Sequence, residues 1–496
     1  MATQSTDVNS FNSGIRFHQQ GQFNKALAIF NSLLEQQPDN HKILHLYGQA
    51  LLGRKSSDDI NNAVTIIEKA ISLNPEIATY HNDLGNAYWS KQNIHMAKKS
   101  FRHSIKIDEK LVPAHFNLGN CLWLQGDIPA ALVQYERTIH LDSKWMRAHY
   151  MRANCKYALG DVCGSLDIYN QLLDHPRVAK DAHIGKASAQ LKLGFWPMGW
   201  EQFDSRFLSK ELSKYTALHD EEWNGGWEPD TRLLVFAEQG IGDFLMFARF
   251  LPGIRERVGK LILACDPSIH RLAANLPGID VIIDKSDIKA SHTLRYNKRF
   301  ALMSITRILS THISTIPYRS GYITRTNPGT SIKHSFDHSQ LNIGIVWAGN
   351  PVQKDDMFRS IPIDYFIDLS NIDNVQFYSL QKEPNNADRI KLKQNNIVDL
   401  SSKIEDFRDT AELIHSLDLI ISVDTAVSHL AGAMGKPVWT LLWSGCCWRY
   451  LTEDDECVWY KSMRLFRQEK FSEWGPVFDN VHSNLIQLIN TRTYET

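Results

Sequence analysis

The sequence is poor in the features that mark membranes, secretion or nucleic-acid binding. No apolar run approaches the ~18 residues that cross a bilayer. The opening MATQSTDVNS has neither a basic stretch nor an apolar core, so no signal peptide is expected. Net charge is scarce: 54 Lys and Arg stand against 55 Asp and Glu, a formal −1. That balance removes any global pull toward nucleic acid or anionic lipid. Cysteine is sparse too, 7 in 496 residues with no CxxC. An odd count without framework spacing suits a reducing, cytoplasmic setting, and the adjacent Cys446–Cys447 cannot chelate a metal alone. What remains is ordinary globular composition, 43% hydrophobic and 22% charged, in a chain long enough for about three domains.

The first two hundred residues repeat. Gly14 and Gly48 lie 34 positions apart, as do Gly85 and Gly119; Ala153 and Ala187 continue that register. The step from Gly48 to Gly85 is 37, and the loop GRKSSDDINN (Gly53–Asn62) accommodates the extra residues. Phe17, Leu51, Tyr88 and Leu122 follow the anchors by three. Ala26, Ala97 and Ala131 follow by twelve, with Ala63 taking that place after the insertion. Phe30, Ile67, Phe101 and Tyr135 come four later, and Pro38 and Pro75 end two repeats. Small residues let two helices approach, large ones fill the gap, and each hairpin leaves an apolar face for its neighbour to cover. The pattern weakens over Met146–Pro176 and Ala179–Phe207, where Lys156 and Ser165 break it, and ends in the aromatic GFWPMGWEQFDSRF.

After Trp227 the pattern changes to strands alternating with helices. RLLVFA (Arg232–Ala237), KLILAC (Lys260–Cys265) and Ile279–Ile283 read as strands, with helices at Phe244–Leu251 and Pro267–Leu276. The turn EQGIGD (Glu238–Asp243) has G-x-G but no third glycine, which argues against a dinucleotide site. It presents Asp243 at the end of a strand, where the carboxylate is a candidate general base or simply an N-cap. RTNPGTSIKHSFDHSQ (Arg325–Gln340) reads as a linker. A second set follows: strands at Leu341–Trp347, Val375–Leu380 and Ile397–Leu400, and a helix at Phe407–His415. In LDLIISVDTAVSHLAGAMGKPVWTLLW (Leu417–Trp443), a strand leads to Asp424 and Thr425, both good N-caps. A helix runs to Met434, Gly435 and Pro437 stop it, and another strand begins at Val438. Such βαβ units build parallel sheets, with ligands beyond the C-terminal strand ends. A helix N-terminus there attracts anions, and His429 lies on the same side as Thr425.

EQGIGD, WAGNP, FRSIP, YSLQK, DTAVSHLAGAMGKPVW and WRY together resemble the GT-B glycosyltransferases of the bacterial heptosyltransferase type. The repeat array resembles the tetratricopeptide repeat. The combination is similar to the subgroup carrying N-terminal tetratricopeptide repeats, which includes flagellin glycosyltransferases, and to the plan of protein O-GlcNAc transferases. The resemblance implies a nucleotide-sugar donor held mainly by the last domain, with no other cofactor. It places the acceptor base at Asp243. It places donor contacts at Gly240, Gly242, Trp347, Asn350, Arg359, Ser379, Gln381, Lys382, Asp424, Thr425 and His429. Heptosyltransferases have glycine after the threonine, where this chain has Ala426. The aromatic-rich end of the chain adds Trp448, Arg449 and Arg464 as candidate sugar or acceptor contacts. No carboxylate pair has metal-ligand spacing; Asp355–Asp356 and Asp454–Asp455 read as solvated loop charges. The last helix, Ser483 to Ile489, is expected to cross back over the first α/β half.

The expected architecture is α plus α/β: an α-solenoid over residues 1–207, then a GT-B pair of Rossmann-like domains over 208–330 (acceptor side) and 331–496 (nucleotide-sugar side). The expected function is transfer of a sugar to a hydroxyl of a protein presented by the array, by an inverting, metal-independent reaction. Two alternatives stand beside it, a transferase acting on a lipopolysaccharide or capsular glycan, and a repeat scaffold with a degenerate GT-B region. The expected partners are the donor and a protein or peptide in the repeat groove, with oligomerisation through the repeats left open and no nucleic acid or membrane span.

Overall fold

The computed structural model describes residues 2–209, 211–216, 221–287, 295–324, 335–353, 355–452 and 455–495. Most of the expected linker, residues 325–334, lies outside them, as do Lys354 and Asp454. The contacts divide the chain into two compact units, Met1–Lys156 and Tyr157–Thr496.

The first unit is a run of helices: α1 (Ala2–Gln19), α2 (Phe23–Gln36), α3 (His41–Arg54), α4 (Ser57–Leu73), α5 (Ala78–Ser90), α6 (Ile94–Ile107), α7 (Val112–Leu124), α8 (Ile128–Leu141) and most of α9 (Met146–Ala158). They pair as α1 with α2, α3 with α4, α5 with α6 and α7 with α8. The anchor glycines explain the pairing. A Cβ on Gly14, Gly48, Gly85 or Gly119 would stand 2.6, 2.6, 2.4 or 2.7 Å from the side chain of Phe30, Ile67, Phe101 or Tyr135. Each large residue fills the space its glycine leaves, and Ala26, Ala63, Ala97 and Ala131 are completely buried one turn earlier. The short connections are capped: Asn40, Ser56, Asn93 and Asp127 each accept from a backbone N–H of the following helix.

The second unit starts at Tyr157, whereas the repeat pattern places the boundary after residue 207. The aromatic stretch is the reason. It builds α12 (Trp196–Phe203), which pairs with α11 (Ala179–Lys192) after α10 (Val162–Leu172). Trp196 stacks on Trp459 at 5.2 Å, Trp200 Nε1 donates to the Thr311 carbonyl at 3.0 Å, and Lys192 Nζ donates to the Cys446 carbonyl. Arg206, just beyond α12, forms a buried ion pair with Glu238 at 2.7 Å. These residues are core of the α/β region, and the hairpin with the turn after it touches loops of both halves, at Thr311 and Glu238 in the first and at Cys446 and Trp459 in the second.

The first sheet contains β1 (Glu221–Glu222), β2 (Glu228–Phe236), β3 (Val258–Cys265), β4 (Val281–Asp284) and β5 (Lys298–Ala301), in the order β1-β5-β2-β3-β4. The second contains β6 (Leu341–Val346), β7 (Val375–Ser379), β8 (Val398–Asp399), β9 (Leu419–Val423), β10 (Val438–Leu442) and β11 (Met463–Arg467), in the order β11-β10-β9-β6-β7-β8. All the strand pairs are parallel. The chain reverses direction across the second sheet between β6 and β9, and across the first between β2 and β5. Such switch points are where open α/β sheets bind ligands. The loops that leave β2, β6 and β9 there are EQGIGD, WAGNP and the DTA turn.

The two sheets are tied to each other within this unit. Buried Arg249 donates to Met246 O on the first side and to Trp459 O at 2.8 Å on the second. The amides of Tyr322 and Ile323 both donate to Ala433 O, at 2.8 and 2.9 Å. The last helix is longer than expected, Gly475–Glu495. It packs on the second sheet, with Phe478 against Tyr365 and Phe366 and Asn484 bonded to Arg464. The expected crossing to the first half is therefore replaced by packing on its own domain.

Gly85→Ala is expected to lower the stability of the first unit by about 1–3 kcal/mol, because the added methyl meets the Phe101 ring. Urea denaturation of the variant checks this.

Candidate active site

The two switch points face each other across one contact. A Cβ on Gly242 would lie 2.9 Å from the His429 ring and 3.7 Å from Ala426 Cα. The glycine thus lets the EQGIGD turn rest on the start of helix Ala426–Ala433. In that turn Gly240 N–H donates to Asp243 Oδ2 at 3.1 Å, so Asp243 caps helix Ile241–Phe247. Its other oxygen, Oδ1, is held by the Arg449 guanidinium. Glu238, which opens the turn, is buried on Arg206; burial raises its carboxyl while Arg206 opposes the rise.

Arg449 follows β10, in the turn Trp448–Tyr450. Its Nη1 donates to Cys447 Sγ at 2.9 Å, and its guanidinium lies 4.7 Å over the Trp448 ring. Among the described residues nothing accepts from its buried Nε, which leaves an unspent donor of the kind that costs about 1–3 kcal/mol.

Asp424 is turned inward. Its Oδ1 accepts from Tyr450 OH at 2.6 Å and lies 3.5 Å from His429 Nε2; its Oδ2 is 3.7 Å from Cys447 Sγ. Burial alone would raise this carboxyl, but the His429 contact, with Arg449 and Tyr450 behind it, holds it well below the usual carboxylate range. Burial pushes the Cys447 thiol up to about 12, so it stays protonated and donates. His429 is buried between Tyr450 and Tyr460, its Nδ1 3.3 Å from Tyr460 OH. Asp424 and His429 therefore fix the loop. Thr425 and Ala426 remain partly open; Thr425 Oγ1 meets Ser422 Oγ at 3.0 Å. The first N–H groups of the helix have no intrahelical partner and carry its positive end.

Arg359 stands beside that helix end. Its Nη1 donates to Asp424 O and its Nε to Asp356 Oδ1, both at 3.0 Å. Asp356 Oδ2 accepts from Ser360 Oγ at 2.9 Å, which in turn accepts from Gly349 N–H at 3.0 Å. Asp356 is thus the clamp of the site's arginine, not a solvated loop charge as its acidic neighbourhood suggests. Gly349 is required by this packing, since a Cβ there would fall 2.4 Å from Arg359 Nη2. Phe358 stacks on Trp443 at 5.0 Å and anchors the short helix Asp356–Arg359.

The remaining expected contacts divide. Gln381 reaches the site, its Oε1 accepting from Ala348 N–H at 3.1 Å, and Asn350 is exposed on the loop after β6. Lys382 is exposed and donates to Glu405 O. Trp347 is buried, bonded through Nε1 to Asp388 at 3.2 Å. Ser379 is completely buried, with Gln381 N–H on its hydroxyl. Trp448 packs between Trp200 and Phe203 at 5.3 and 5.5 Å, so its ring offers no face to a sugar. Arg464 is the second residue of β11, toward the N-terminal end and away from the C-terminal strand ends that form the site. Asp356, Ser360, Cys447 and Tyr450 are the site residues that sequence reasoning missed. For Tyr450 the quoted WRY motif was a usable signal; for Asp356 the spacing to Arg359 was. Among the described residues no group of three or more His, Cys, Asp or Glu is placed to hold a metal, and no helix is long and apolar enough to cross a membrane.

Two family models match parts of the chain. Residues 371–444 match the model of glycosyltransferase family 9 (heptosyltransferase), and residues 78–111 match the tetratricopeptide repeat. The family 9 match contains Asp424, Thr425 and His429; Asp243, Arg359 and Arg449 lie outside it. A curated relative, Protein FlbA of Caulobacter vibrioides (strain ATCC 19089 / CIP 103742 / CB 15), is 25% identical over 336 residues, 61% of this chain and 54% of that protein. The chain thus spans about half the length of the curated relative it matches. Solved structures with a likeness include a thermophilic tetratricopeptide-repeat protein of Thermus thermophilus (18% identity, TM-score 0.31, 37% of this chain and 99% of that one). Another is PilW, a type IV pilus biogenesis factor (16% identity, TM-score 0.38, 43% and 99%). The chain joins tetratricopeptide repeats to an α/β region similar to glycosyltransferase family 9.

Asp424→Asn is expected to cost about 2–3 kcal/mol at pH 7. A carboxyl held below its unfolded value stabilises the fold above that value, near 3.8, and loses the contribution as pH falls toward the folded value. The gap between wild type and variant should therefore narrow below pH 4 in denaturation measured from pH 7 to pH 3.

Proposed function

We propose that the chain is a glycosyltransferase that moves a sugar from a nucleotide-sugar donor to a hydroxyl of a protein acceptor held by the repeat array. One observation supports this most. Three switch-point loops converge on the open start of helix Ala426–Ala433, with Arg359 beside it and a carboxylate, Asp243, across from it. That is an anion site facing a base. The acceptor hydroxyl gives its proton to Asp243 and its oxygen attacks the anomeric carbon. The bond from that carbon to the donor phosphate breaks, and the nucleotide leaves with the electron pair. Attack from the side opposite the leaving group inverts the anomeric centre.

Magnitudes set the division of labour. A helix N-terminus contributes about 0.3–1 kcal/mol to holding an anion, up to about 2 when partly buried, whereas micromolar binding needs about 8. A charge-assisted bond from Arg359 adds about 1.5–3. Contacts of Gln381, Asn350 and the loop after β6 with base and sugar supply the remainder. Donors fixed before the reaction also stabilise the departing phosphate.

The repeats supply the acceptor in this reading. Stacked hairpins of this kind build extended concave surfaces, and the site itself is adapted to the small donor.

The experiment is a melting-temperature screen against UDP, GDP, CMP, ADP and their sugars, since a bound ligand raises the melting temperature by mass action. A shift with one base identifies the donor class, and a well-folded sample that responds to none at millimolar concentration rejects the transferase. Arg359→Ala should then weaken the active nucleotide about tenfold or more, and Asp243→Asn should abolish turnover. Removing residues 1–156, the first compact unit, should end transfer to a protein acceptor while sparing transfer to a small one. Equal loss of both would assign the repeats to folding.

A further inference from the structure

We propose that Arg449 is a donor-responsive latch on Asp243. With the phosphate site empty it holds the carboxylate. A nucleoside diphosphate at the start of helix Ala426–Ala433 draws it away and leaves Asp243 open to the acceptor hydroxyl. The proposal rests on the transferase reading above and adds an order to it: donor first, acceptor activation second.

The two arginines of the site differ in how they are held. Arg359 is fixed by Asp356 through Nε and by the Asp424 carbonyl through Nη1, and Asp356 is itself braced by Ser360. Arg449 has one oxygen partner, Asp243, and a thiol, Cys447. Its buried Nε has no acceptor among the described residues. It therefore keeps bonding capacity that its present neighbours do not use. Its position suits a phosphate. Cys447, which it touches, lies 3.7 Å from Asp424, and Asp424 and Thr425 lead directly into the helix. Gly242, the residue before Asp243, packs 3.7 Å from Ala426 Cα when a Cβ is placed on it. Base, arginine and helix end thus lie within one cluster.

Charge decides the exchange. A diphosphate brings more negative charge than one carboxylate and accepts from a guanidinium in the bidentate geometry that arginine favours. Asp243 does not collapse when released, because Gly240 N–H still holds Oδ2. Only Oδ1 is freed, and it is the oxygen available for the proton. By linkage, a change at Asp243 that weakens its hold on Arg449 strengthens diphosphate binding, by at most the factor that the contact contributes.

The test uses the full chain, the nucleoside diphosphate of the base that stabilises the wild type, and the matching nucleoside, titrated calorimetrically. Asp243→Asn keeps the shape and removes the competing charge, so it should bind the diphosphate about fivefold or more tightly and the nucleoside as before. Arg449→Gln should weaken the diphosphate, and adding Asp243→Asn to it should bring no gain. Arg449→Lys should restore part of the gain. A folded Asp243→Asn that binds the diphosphate no better than wild type would falsify the latch, as would a gain that survives in the double variant. Should Asp243→Asn fail to fold, Asp243→Ala is read in the same way. If the wild type binds none of the screened nucleotides, the transferase reading fails and takes the latch with it; if it binds CMP alone, the transferase reading stands and the diphosphate latch is overturned.

Discussion

The site depends on one steric condition, the bare backbone of Gly242 against the imidazole of His429. The turn of the first sheet reaches the helix of the second only because no side chain intervenes there. His429 can serve as that platform because it is itself immobile, fixed by Tyr460 on one nitrogen and by Tyr450 and Asp424 near the other. The next residue along the turn is then Asp243, and the next loop along the second sheet delivers Arg449. A carboxylate of the first sheet's turn is thereby positioned by groups of the second sheet. Burying ionised Asp424 to build this platform is costly, and it persists because hydroxyl, imidazole and thiol all face it.

Much of this was legible in the sequence, and the reason is local. A period of 34 with a small residue against a large one is a contact rule written twice, once at each partner. Gly85 and Phe101 are an example, the ring lying where the glycine leaves room. Switch-point loops are legible for a similar reason. A glycine turn, an N-cap and a helix stop each act within a few residues, so EQGIGD and DTAVSHLAGAMGKP disclose strand, turn and helix before any tertiary contact forms.

What was not legible concerns which way a side chain turns. Trp347 and Trp448 have the residue type of a sugar platform, but both are buried by partners far along the chain, Asp388 in one case and Trp200 in the other. Asp424 stands beside the start of helix Ala426–Ala433 by position, but a tyrosine 26 residues later turns it inward. Asp356 looks like one of two loop acids, and only the return of Arg359 and Ser360 onto it shows a clamp. The hairpin α11–α12 follows the repeat period and yet belongs to the sheets, because its tryptophans find Trp459 and Thr311. Period reports how a segment folds, and it is silent on what the finished segment packs against.

That hairpin has a consequence for how such a chain can change. Repeat arrays lengthen by duplication of whole hairpins, each new copy needing only its neighbours. Up to Lys156 the helices meet that condition. From α11 onward the chain carries residues matched to particular atoms of the α/β region, such as Lys192 to the Cys446 carbonyl and Arg206 to Glu238. A copied hairpin inserted there would displace those partners by its own width. Growth and shrinkage of the array are thus confined to the part before the α11–α12 hairpin, and that hairpin changes only in step with the α/β region it serves.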